Sequence, residues 1–173
     1  QARGKLRYDD ALATFVPDAS PLPIIPAGAV NGRFDLAAAL ADGHAAGRAA
    51  AANAGALASV DAGSAASTFP PLREAPRADV ATVSALQPLW SVDPAQASAK
   101  RFVDLQNDVT VGDIALAARE GYQAVEHLKR YTTLGMGTDQ GKTSNIVGLA
   151  LMAEQLGVAI PQVGTTTFRP PYT

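Results

Sequence analysis

Gly141-Lys142-Thr143 stands directly before an apolar-periodic segment, so a lysine, a hydroxyl and glycine-freed backbone N–H groups meet where a helix should start. That combination suits an anion, because helix N-termini carry unsatisfied donors and a partial positive charge. It is not a nucleotide-hydrolysing P-loop. The motif requires glycine five residues before Gly141, where Met136 stands, and no apolar strand leads into the loop. Upstream, Lys129 and Arg130 add two cations, Thr132 and Thr133 two hydroxyls, and Gln140 an amide. As an ordinary charged face before a capped helix with a solvated lysine, the same residues would look identical. His127 beside Glu126 could move a proton, but nothing near it completes a catalytic set, and His44 lies far away in an alanine-rich run. Two isolated histidines make no metal pattern.

Composition removes whole classes of chemistry. A formal charge of −2 over 173 residues offers no basic surface for nucleic acid or anionic membrane. With no cysteine there is no disulfide, thiolate zinc site, cysteine-ligated iron–sulfur cluster or thiol nucleophile. Alanine supplies much of the 47% hydrophobic content and aromatics only 6%, so a dense, self-sufficient core is not expected. The run over residues 36–58 is interrupted by Asp42, His44, Arg48 and Asn53 and is no membrane span. Residues 1–5 show no signal-peptide layout, and both ends read as cuts within a longer chain. A soluble, cytoplasmic segment is the expectation.

The elements that must position these residues follow from patterning. Tyr8, Leu12, Phe15 and Val16 suggest short extended pieces, and Leu22 to Ile25 a buried strand entering a tight turn at Ala27, Gly28 and Ala29. Asp35 should cap a helix running to Ala52, with Gly43 and Gly47 on one face for close approach of another backbone. Residues 53–85 read as a linker, rich in Ala, Gly, Ser and Pro. Residues 100–109 read as a strand or extended segment. Thr110 with Asp113 makes a capping-box-like helix start, and Gly121 a left-handed stop. A short helix over 125–131, a structured loop over 132–142 and a last helix capped by Thr143 and ended by Gly157 complete the plan. The fold class expected is α+β, mainly helical: the tail of a dinucleotide-binding α/β domain over 1–52, a helical middle domain over 86–160, and a connector over 161–173.

Two stretches resemble one family. Pro26-Ala27-Gly28-Ala29-Val30-Asn31-Gly32-Arg33-Phe34-Asp35-Leu36 looks like the closing segment of the dinucleotide-binding fold in alpha subunits of heterotetrameric sarcosine oxidases. The more specific match comprises the strings over 100–110, 125–136 and 138–145, and 163–173 resembles the lead into the family's T-protein-like folate domain. The resemblance implies an oxidase that demethylates sarcosine to glycine, yielding hydrogen peroxide and methylenetetrahydrofolate. It implies NAD near Ala29, Phe34 and Leu36, and tetrahydrofolate in the adjoining domain. FAD and FMN would be held mainly by a beta subunit, with FMN near Lys129, Arg130, Thr132, Thr133, Gln140, Lys142 and Thr143. The implied partners are the beta, gamma and delta subunits, the remainder of the alpha subunit and a small-molecule amine substrate. The middle domain resembles a ferredoxin-like helical domain without its cluster-binding cysteines. An N-methylglutamate dehydrogenase-type subunit, or a purely structural bridging and subunit-docking segment, are the alternatives; in either case the segment alone is expected to be inactive.

Overall fold

The computed structural model describes residues 5–54, 74–79, 86–93, 96 and 99–166. The chain divides into two compact units, Gln1–Leu86 and Gln87–Thr173. Most of the linker expected over 53–85 lies outside the described residues.

In the first unit, β1 (Leu6–Asp9) and β2 (Thr14–Pro17) pair antiparallel, with Leu6 opposite Pro17 and Tyr8 opposite Phe15. The Tyr8 and Phe15 rings meet edge-on, 5.1 Å between centroids, a geometry favoured by the ring quadrupoles. Val16 is buried, and a short 3-10 turn, Gly28–Asn31, follows. Gly32 leaves that turn at φ 78°, and a side chain there would collide with Leu12. The expected strand over Leu22 to Ile25 is not formed. Leu22, Ile24 and Ile25 are exposed, because prolines at 21, 23 and 26 deny the run the regular donors of a sheet ladder.

Helix α1 (Leu36–Asn53) starts where expected, Asp35 Oδ1 accepting from the Ala38 N–H at 2.7 Å. It buries none of its residues. Gly43 and Gly47, expected to admit a neighbouring backbone, meet nothing within 4 Å among the described residues. A hairpin, a turn and a helix also do not make a dinucleotide-binding domain by themselves. The described strands form two 2-stranded antiparallel sheets.

The second unit holds nearly all of the core. The extended segment expected over 100–109 is split into β3 (Phe102–Asp104) and β4 (Val109–Thr110), paired antiparallel. Asp104 causes the break: its buried carboxylate accepts from the Gln106 N–H at 2.9 Å and the Asn107 N–H at 3.3 Å, bending the chain into a turn. Helix α2 (Val111–Arg119) begins at a full capping box, Thr110 exchanging hydrogen bonds with Asp113. Gly121 follows it at φ 92°. Helix α3 (Val125–Thr132) is short, and Thr133 ends it at φ 63°.

Helix α4 (Asn145–Leu156) is the centre of the unit. Gly148, Leu149, Ala150, Leu151, Met152 and Ala153 are buried on every side of it, the pattern of a helix enclosed by its neighbours. It packs on α2, α3 and a closing 3-10 turn, Ile160–Val163. Gly157 stops it at φ 65°, as the sequence suggested. The expected Thr143 cap is not there: Ser144 occupies the cap position with no side-chain bond, because the Thr143 hydroxyl is held by Asp139.

Candidate functional site

The segment joining α3 to α4 gathers most of the residues singled out for chemistry. It is wound tightly. Thr133, Gln140, Gly135 and Gly141 all have positive φ, at 63°, 52°, 68° and 82°. For threonine and glutamine this conformation is uncommon, and it persists only where surrounding contacts over-determine it. Those contacts come from the β3–β4 turn. Asp104 Oδ2 accepts from the Gly135 N–H at 2.7 Å, and Asn107 Nδ2 donates to the Thr133 carbonyl at 3.2 Å. Gln106 Oε1 accepts from both the backbone N–H and the hydroxyl of Thr138. Gly137 lies so close to Gln106 that a side chain there would displace the Gln106 side chain. Gln140 turns inward, its Nε2 donating to the Gly137 carbonyl at 2.8 Å.

At the end of the segment a carboxylate stands where an anion was anticipated. Asp139 accepts from the Gly141 N–H at 3.1 Å, the Thr143 N–H at 3.2 Å and the Thr143 hydroxyl at 2.6 Å. The Thr143 hydroxyl and then the Gly141 amide hold the Asp139 carboxyl below the usual carboxylate range. The Gly141 and Thr143 backbone donors are thus already used. Lys142 and Thr143 remain exposed, and Lys142 also adds to the positive field on Asp139.

The cations divide between two surroundings. Lys129 is 9% exposed, and its Nζ lies 3.1 Å from the Thr166 hydroxyl of the connector. Arg130 is exposed and pairs with Glu126 at 3.8 Å, one helical turn back. Neighbours in sequence, they diverge because successive helix residues are about 100° apart. Thr132 donates its hydroxyl to the Leu128 carbonyl at 2.8 Å. His127 is exposed, and among the described residues no cluster of three His, Cys, Asp or Glu could hold a metal ion.

In the first unit Ala29, Phe34 and Leu36 are all exposed. Asp42 Oδ2 secures the turn before them, accepting from the Gly28 N–H at 2.9 Å and from Asn31 Nδ2 at 3.2 Å. The Gly28 amide, followed by Asn31, holds the Asp42 carboxyl below its ordinary value. Asp35 already caps the α1 start.

Comparison with known proteins relates the chain to one family. Residues 98–173, which include the whole wound segment and α4, match the sarcosine oxidase A3 domain. Across its full length the chain is 40% identical to the sarcosine oxidase alpha subunits of Corynebacterium sp. strains P-1 and U-96. Over 86 residues it is 58% identical to the sarcosine oxidase alpha subunit of Rhizobium meliloti. Residues 98–173 carry the sarcosine oxidase A3 domain, and the chain as a whole is similar to sarcosine oxidase alpha subunits. It spans 17% of the length of the corynebacterial subunits, and the matched stretch spans 8% of the rhizobial one.

Within this A3 domain the structure adds residues that sequence reasoning did not single out. Asp104, Gln106, Asp139, Ser144 and Asn145 set the shape of the segment that Lys142 and Thr143 occupy. One signal was available: an aspartate two residues before a glycine is a turn former that bonds forward to backbone N–H groups. The fit to cofactors can be tested on the same geometry. Exposed Lys142 and Arg130 suit an anionic group met by side chains, whereas the amides of 141 and 143 are committed to Asp139. Around Ala29, Phe34 and Leu36, the Asp42 and Asp35 carboxylates take the Gly28 and Ala38 N–H donors. Among the described residues, no helix is long and apolar enough to cross a membrane.

Proposed function

We propose that this chain is part of the alpha subunit of a sarcosine oxidase complex that oxidatively demethylates sarcosine to glycine, with hydrogen peroxide and methylenetetrahydrofolate as products. The observation that carries this reading is 40% identity over the full chain to proteins named as alpha subunits of that enzyme. In this reading FAD and FMN belong mainly to the beta subunit, NAD lies near Ala29, Phe34 and Leu36, and tetrahydrofolate sits in the adjoining domain. Gamma and delta subunits complete the complex. The flavins, when bound, supply the electron acceptor for amine oxidation. This chain contributes the wall formed by residues 129–143, where Lys142 and Arg130 offer cationic side chains toward FMN, with Thr133, Gln140 and Thr143 beside them. Lys129 and Thr132 support that wall from behind.

Replacing Lys142 with Met in the full-length subunit, assembled with its partners, tests the assignment. A hydrogen bond to a charged group is worth about 1.5–3 kcal/mol, so FMN retention should fall roughly tenfold or more while NAD binding stays near wild type. A full FMN complement and wild-type sarcosine oxidation would retire the flavin wall. The second reading, a bridging and docking segment that touches no cofactor, is favoured by one observation: Asp139 already occupies the amide donors that an anion would use. It predicts that the same substitution changes almost nothing.

A further inference from the structure

Two buried oxygens at the start of α4 have no hydrogen-bond partner, Ser144 Oγ and Asn145 Oδ1. Ser144 is 1% exposed and Asn145 7%. Orphaned buried polar atoms are rare in folded proteins and call for a reason, since an apolar side chain of the same size would avoid the loss. The Asn145 side chain also has an unusual seat. A Cβ built on Gly141 would run into its Oδ1, Cγ and Nδ2, and one built on Gly135 into its Oδ1 and, at 2.9 Å, into the Gly141 Cα. Both glycines have positive φ, and both bracket the stretch that carries Gln140. A flat amide therefore fills the space where the outgoing and returning strands of the wound segment come together. Asn145 is tied in a second way, its backbone N–H donating to the Gly141 carbonyl at 3.0 Å.

We propose that Asn145 is a positioning residue: its planar amide packs against both Gly135 and Gly141, sets their spacing and so fixes the form in which residues 133–143 present Lys142 and Thr143. The proposal rests on the flavin-wall reading for its functional consequence, but the spacing itself does not depend on it. The orphaned Asn145 oxygen and the backbone strain at Gly135 and Gly141 then have one explanation. Side chains at this seat are selected for shape between two backbones, at the expense of hydrogen bonding.

A double-substitution cycle in the full-length subunit, assembled with its partners, provides the test. The readouts are hydrogen exchange at residues 133–143, flavin content and the visible flavin spectrum. Asn145→Ala should raise exchange at the Gly135 amide at least tenfold. Gly141→Ala alone should do the same, because its new methyl meets Asn145. In the Asn145→Ala background, adding Gly141→Ala should cost several-fold less, since the collision is gone and only the strain of positive φ remains. Independent, multiplying effects of the two substitutions would overturn the proposal, as would unchanged exchange in Asn145→Ala. Should Gly141→Ala fail to fold, Gly135→Ala against the same background supplies the second cycle, with a smaller but still less than multiplicative effect expected, because a methyl there also meets the Gly141 Cα at 2.9 Å. A coupled change in exchange that leaves flavin content and spectrum untouched would keep Asn145 as the spacer and retire the flavin wall instead. If both move together, while Lys142→Met alters only the flavin, both assignments stand.

Discussion

Asp139 shows how one carboxylate changes the meaning of the residues around it. Gly141-Lys142-Thr143 offers anion chemistry in sequence, yet in the folded chain its amides and hydroxyl serve an internal aspartate. This has a pH signature. A carboxylate whose folded-state value is depressed contributes stability above its unfolded value, near 3.9, and loses it as pH falls through the lower, folded value. The turn over 139–143 should therefore hold throughout the neutral range and loosen only below about pH 4. A carboxyl titration by nuclear magnetic resonance checks it: Asp139 should titrate below an ordinary aspartate, and the Gly141 and Thr143 amide signals should move with it. A midpoint at or above the ordinary value would take the carboxylate out of the turn. Lys129 teaches the complementary lesson, for its composition reads as a surface cation and only the helix phase, set by burial of Val125 and Leu128, turns it inward to Thr166.

Elements were legible where local chemistry determines them. Asp35, Thr110 with Asp113, Gly121 and Gly157 mark helix ends by capping and left-handed geometry, effects that act within a few residues. The misreadings arise where a distant or competing partner acts. Thr143 lost its cap role to Asp139, the residues 100–109 were broken by the Asp104 turn, and prolines kept Leu22 to Ile25 out of any sheet. The wound segment was recognisable as a structured loop, but its anchors, Asp104 and Gln106, lie about 30 residues upstream and only the fold brings them together. At this scale Gly148 gives a sign that propensity gets wrong. Alanine is favoured over glycine inside a helix by about 1 kcal/mol. A Cβ at 148, however, would collide with Leu134, which is fully buried, and overpacking costs about 1–3 kcal/mol. Gly148→Ala should therefore destabilise the chain in urea unfolding, and it should cost less when added to Leu134→Ala, itself destabilising by about 2–5 kcal/mol, than when made alone.

For the whole molecule, the distribution of buried apolar side chains separates the two units. Among the described residues the first unit buries Val16, while the second buries thirteen apolar side chains, among them Ile114, Leu128, Leu134, Leu149, Leu151 and Met152. Burial of a large aliphatic side chain is worth about 1.5–3 kcal/mol, so among the described residues the second unit draws far more stabilisation from apolar burial than the first. The first unit leans on local devices: the Tyr8–Phe15 ring contact, the Asp42 hold on Gly28, and a capped alanine-rich helix. Each is modest alone. Val30, Phe34 and Leu36 stay exposed on it, at 59%, 45% and 56%, and no residue of α1 is buried. Residues 87–173 expressed alone should thus unfold in one cooperative transition with a melting temperature close to that of the same unit in the full chain. Residues 1–86 alone should lose signal gradually, without a calorimetric peak, and α1 amides should exchange orders of magnitude faster than those of α4. Calorimetry and hydrogen exchange on the two halves check both statements. A sharp, high-temperature transition from residues 1–86 as a monomer would mean that α1 finds its packing partner within that half, and the reading of the first unit as held by local devices alone would have to be abandoned.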